Sequence, residues 1–82
     1  MSILVQPKFT EARATDVQVT SEELKVILED GRMITVPLEW FPRLRDGNEK
    51  ERNTWRFIGG GIGIHWELID EDISVEGLLR NS

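Results

Sequence analysis

The chain has 82 residues, no cysteine, and fifteen acidic against ten basic residues, for a formal charge of -5 and a sequence pI near 4.8. That length holds one small domain and little apolar surface to spare, and the lack of cysteine excludes disulfides, thiolate metal sites and cysteine nucleophiles. The charge has the wrong sign for stand-alone nucleic-acid binding, no apolar run approaches the roughly 18 residues of a membrane span, and "MSILVQPKF" lacks the regions of a secretion signal, so the expected location is the cytoplasm.

Residues 1–13 form an N-terminal segment and residues 14–82 a single domain. Within the segment, Ile3, Leu4 and Val5 are an apolar, β-prone triplet ahead of Pro7. It reads as a tail, or as a strand lent to a sheet edge, its own or that of a second copy in a homodimer. Val17 and Val19 alternate with polar neighbours and predict a short strand, and "TSEE" the turn after it. Leu24 to Glu29 and Arg32 to Val36 then flank Asp30-Gly31, a strong hairpin signal. A two-residue loop would place Glu29 opposite Arg32, Leu28 opposite Met33 and Ile27 opposite Ile34. Both faces of that hairpin would be apolar, which calls for cover on both sides and hints at a partner.

Pro37 lacks an amide donor and should end the strand. "LEWFPRLRDGN" reads as a short helical or irregular segment, in which Trp40 and Leu44, four apart, would cover the sheet. Phe41 would then point aside, and with Arg43 and Arg45 it is the candidate interface, since aromatic and Arg side chains are enriched in interface centres. Asn48 followed by Glu51 is a capping-box pattern opening a helix from Glu49 to Thr54. Trp55, Phe57 and Ile58, then Ile62, Ile64 and Trp66, are two strand-forming runs around "GGG", hence a second hairpin. Asp70, Glu71 and Asp72 read as a solvated turn before Ser74, which caps a last helix from Val75 to Leu79. The expected fold is α+β, a small twisted antiparallel sheet of two hairpins plus one extra strand, with two or three short helices.

"DGRMITVPLEWFPRL", "WRFIGGGIGIHW" and "DEDISVEGLL", in this order, resemble the uncharacterised bacterial family called domain of unknown function two-four-four-two, in its short single-domain form. The resemblance implies a small α+β unit with a strongly twisted antiparallel sheet. Relatives can carry a helix-turn-helix after this domain, for which a sequence ending at Ser82 leaves no room. Their genes often neighbour a second small protein, from which a toxin–antitoxin pairing has been proposed.

Three constellations invite chemistry. Gly59, Gly60, Gly61 and Gly63 form a glycine-dense loop, but a phosphate-binding loop needs a helix with Lys and Ser or Thr at its end, and here Ile64, His65 and Trp66 follow. The simpler reading is a turn whose glycines supply positive φ or let a bulky neighbour approach. His65 with the carboxylates after it lacks the spacing of a zinc or calcium site. Ser2, Ser21, Ser74 and Ser82 lie in tails, turns or a cap, without the signature of an activated nucleophile. No cofactor or metal is expected, and no catalytic residue. The sequence points to a protein-interaction module, antitoxin-like or an adaptor in a two-protein system borne by bacteria or a mobile element, with a small and basic partner. A small-ligand binder or minor enzyme built on Gly59 to Gly63, His65 and Trp66, and a homo-oligomeric structural role, are the alternatives.

Overall fold

The computed structural model describes residues 12–81, so Ile3, Leu4 and Val5 lie outside the described residues. The order of elements is β1 (Ala14–Val19), β2 (Glu23–Leu28), β3 (Met33–Pro37), a 3-10 turn (Leu38–Trp40), α1 (Pro42–Arg45), α2 (Glu49–Asn53), β4 (Trp55–Ile58), β5 (Gly63–Trp66), β6 (Glu71–Ser74) and α3 (Val75–Asn81). The class is α+β, with two three-stranded antiparallel sheets ordered β1-β2-β3 and β4-β5-β6. Two sheets stand where one was expected, because the two hairpins share no strand pairing, β1 extending the first and β6 the second. No helix among the described residues is long and apolar enough to cross a membrane.

The β2–β3 register differs by one residue from the expected one. Ile27 faces Met33 and Val26 faces Ile34. The Leu28 amide donates to the Arg32 carbonyl at 2.8 Å and the Gly31 amide to the Leu28 carbonyl at 3.0 Å. Glu29, Asp30 and Gly31 thus form a three-residue loop, a tight turn followed by Gly31 at φ 94°, which is the bulged alternative to the two-residue hairpin. A one-residue slip moves the third strand's side chains to the other face. Leu24, Val26, Leu28, Ile34 and Val36 are therefore buried together, and Met33 is left 58% exposed. The sheet has one apolar face, and the expectation of two, with its hint of a partner, is corrected. Arg32 pairs with Asp30 at 2.8 Å instead of facing Glu29.

In the second sheet, Trp55 faces Trp66 and Phe57 faces Ile64. The acidic triplet is not a turn as expected. Glu71 and Asp72 belong to β6, where buried Ile73 pairs with Ile64, and burying that side chain outweighs the charges beside it. The turn falls earlier, between Trp66 and Glu71, and ends at Asp70 with φ 51°. The two sheets meet where β1 begins. The Ala14 amide donates to the Gly61 carbonyl at 2.7 Å, Gly61 has φ 110°, and a Cβ there would lie 2.6 Å from the Ala14 carbonyl oxygen. Only glycine admits both the angle and the approach.

The helices pack around the join. Asn48 and Glu51 form the expected capping box, each side chain accepting from the other's amide at 2.8 Å. Arg52 caps the end of α1, donating to the carbonyls of Leu44 at 2.9 Å and Arg45 at 2.6 Å. Trp66, fully buried, donates from Nε1 to the Arg52 carbonyl at 2.9 Å, so the indole meets its polar requirement inside the core. Ser74 Oγ accepts from the Gly77 amide at 3.0 Å, and α3 runs two residues past its expected end, to Asn81. Trp40 and Phe41 exchange their expected roles. Trp40 is 48% exposed, and Phe41 packs against the core. The chain makes a 3-10 turn at Leu38–Trp40 and breaks at Phe41 (φ -129°, ψ 82°) before α1. The four-residue spacing of Trp40 and Leu44 therefore never becomes one helical face.

Gly61→Ala should lower stability by about 2–4 kcal/mol through left-handed strain plus overpacking. Gly31→Ala, with nothing within 4 Å of its added Cβ, should lower it by about 1 kcal/mol. Urea denaturation of both variants checks this, and equal losses would mean that the approach of Gly61 to Ala14 is unimportant. Asp30 is held below the ordinary carboxylate range, first by a hydrogen bond from the Arg32 amide, which desolvation partly opposes, and further by the Arg32 guanidinium. A depressed folded value contributes stability above the usual aspartate range, lost as the pH falls through the folded value. The melting temperature of Asp30→Asn should therefore lie below that of the parent near neutral pH, with the gap closing under acid conditions.

Candidate functional site

Trp40, Phe41, Arg43 and Arg45 sit on the corner between β3 and α1, which Pro37 and Pro42 shape by ending a strand and opening a helix. Beside it lies a shallow groove of about 430 Å³ lined by Pro42, Arg43, Asp46, Gly47, Glu51 and Ile69. Arg43 spans toward the second sheet, donating to the Asp70 carbonyl at 2.6 Å. Arg45 makes a two-pronged pair with Asp46 at 3.0 and 3.2 Å. That pair raises the Arg45 guanidinium above its ordinary value and holds the Asp46 carboxyl below its own. Both groups lie in water, where such a pair contributes little to stability. The corner thus offers an exposed indole on a segment whose guanidinium groups are already engaged, Arg43 with Asp70 and Arg45 with Asp46. Of the interface candidates at this corner, Arg43 and Arg45 are exposed and Phe41 is half-buried, while Trp40, expected to cover the sheet, is exposed.

The glycine loop closes the β4–β5 hairpin. Gly61 donates to the Ile58 carbonyl at 3.2 Å, and Arg13 donates to the carbonyls of Gly59 at 2.9 Å and Gly60 at 3.4 Å. The loop therefore turns carbonyl oxygens toward a cation, whereas a phosphate cradle turns amides toward an anion. Gly63 is the first residue of β5.

His65 and Trp66 point to opposite faces of β5. Trp66 is enclosed, with its N–H already used. His65, its side chain 17% exposed, donates from Nδ1 to an Asp72 carboxylate oxygen across the strand pair. Arg56 faces it from β4 and leans to Glu67 at 3.5 Å. A carboxylate bound to Nδ1 fixes the imidazole's tautomer and orientation, yet no hydroxyl is hydrogen-bonded to the ring among the described residues. Also among the described residues, no group of three or more His, Asp or Glu is arranged to hold a metal.

Sequence reasoning missed Arg13 and Arg52, whose partners lie 46 and eight residues away and leave no local pattern. It also missed Leu68, 50% exposed in the β5–β6 turn.

The chain is similar over most of its length to a protein of unknown function from Rhodospirillum rubrum ATCC 11170, whose crystal structure superposes with a TM-score of 0.75 at 28% identity, covering 88% of this chain and 89% of that one. Comparison with curated proteins found no match. The family model described as "Protein of unknown function (DUF2442)" matches residues 14–82, a span that contains the six strands and three helices of the described residues, and the chain belongs to that family.

Proposed function

We propose that this domain is a protein-interaction module, the antitoxin-like or adaptor half of a two-protein system carried by bacteria or a mobile element. The observation that carries the reading is Trp40. Leu24, Leu28, Leu38, Leu44, Ile64 and Trp66 close the core without it, and a small domain has few aromatic side chains to leave in water. An exposed indole on a corner fixed by two prolines, beside Arg43 and Arg45, has the composition of an interface centre. The excess of acid over base favours a basic partner and salt-sensitive association. The reading assigns the protein no catalysis.

Tagged protein should recover one small partner stoichiometrically from source cells at low salt and lose it at high salt. Titration of that purified partner should show Trp40→Ala binding at least tenfold more weakly, an anchor's share of about 1.4 kcal/mol or more. Recovery of the bait alone, as a monomer or as a homo-oligomer, would overturn the reading, and an unchanged affinity in Trp40→Ala would overturn the role of the indole.

A further inference from the structure

The negative charge is not spread evenly. Glu67, Asp70, Glu71, Asp72 and Glu76 lie in a stretch without Lys or Arg, bounded by Arg56 and Arg80. Acid therefore outnumbers base along the β5–β6 turn, β6 and the first turn of α3. That strand is also an edge, pairing with β5 on one side and with no other strand among the described residues. An edge presents main-chain donors and acceptors that another strand can pair with.

Charge decides which strand fits. A second copy would bring the same carboxylates against these, and like charges across a sheet edge repel. A strand carrying Lys or Arg meets complementary charge on an open edge. Glu67 and Glu76 reach Arg56 and Arg80, while Asp70 and Glu71 have no ion pair among the described residues. Leu68 stands exposed beside them and offers an apolar contact.

We propose that the outer edge of β6, Glu71–Ser74, takes up an extended basic segment of a second protein as an added strand. This rests on the interaction-module reading and names the surface and the partner's chemistry. Main-chain pairing would supply the docking geometry, and the carboxylates would select the basic sequence.

The test titrates ¹⁵N-labelled protein with the blocked peptide Lys-Val-Lys-Val-Lys-Val and with its counterpart carrying Glu for Lys. The basic peptide should shift the amides of Glu71–Ser74 and slow their hydrogen exchange, with the effect weakening between about 20 and 300 mM salt as screening grows. The acidic peptide should do neither. Glu71→Lys should weaken binding about three- to tenfold at low salt, and Glu71→Gln by less. Shifts spread over the corner at Trp40 or over other faces, equal effects of both peptides, or unchanged affinity in both variants would overturn the proposal. Its failure is distinguishable from that of the broader reading. A cellular partner whose affinity drops with Trp40→Ala but not with Glu71→Lys removes the edge and leaves the module. Peptide docking on β6 with no partner recovered from cells removes the module's proposed setting and leaves the edge.

Discussion

The arrangement of this domain depends on one close approach, that of Gly61 to Ala14. Two three-stranded sheets in a chain this short each have one face to bury, and neither has enough apolar surface to stand alone. They share a single core because β1 starts against the loop that closes β4 and β5. The Ala14–Gly61 hydrogen bond fixes that junction, the Arg13 guanidinium holds the same loop by two of its carbonyls, and the Arg13 carbonyl accepts the Glu29 amide at 2.8 Å. The glycine loop is thus a structural joint, and the density of glycine follows from sterics without any ligand.

A second node sets the other end of the core. Arg52 gathers the last carbonyls of α1 and offers its own carbonyl to the buried indole of Trp66. A helix of four residues cannot satisfy its own C-terminal carbonyls, so α1 depends on a side chain from α2, and α2 depends in turn on its capping box. Hydrogen bonds from a charged donor contribute about 1.5–3 kcal/mol, which is large beside the total stability available to so small a domain.

What was legible in the sequence was local. Asn48 and Glu51 announce the start of α2, Pro37 the end of β3, and Ser74 the cap of α3, because each acts on residues within four positions. The β2–β3 register was not legible, since Asp-Gly closes either a two-residue or a three-residue loop and only the burial of Ile34 and Val36 decides between them. Strand β6 was hidden because Ile73 is the one apolar residue among charges, and its value shows only when Ile64 lies opposite. The exposed indole was hidden for a related reason, because a 3-10 turn and an α-helix differ by one carbonyl in their hydrogen bonding but rotate the fourth residue to different faces. For the glycine loop, His65 and Trp66, sequence spacing was sufficient to show that adjacent strand residues diverge, and Trp66 and His65 do so.

Neutral surface and charged surface play different parts here. Several acids have a basic neighbour, as Asp30 has Arg32, Asp46 has Arg45, Glu67 has Arg56 and Glu76 has Arg80. Such exposed pairs add little to stability, so their balance leaves stability to the core. Asp70 and Glu71, without an ion pair among the described residues, add little to folding either, and as neighbouring like charges they repel one another. A surface that does not serve stability can serve selection. Unneutralised charge discourages pairing with a like edge and acts over a Debye length to draw an opposite one. Trp40 and the β6 edge would then divide two tasks, the indole supplying affinity through burial and the carboxylates choosing what arrives.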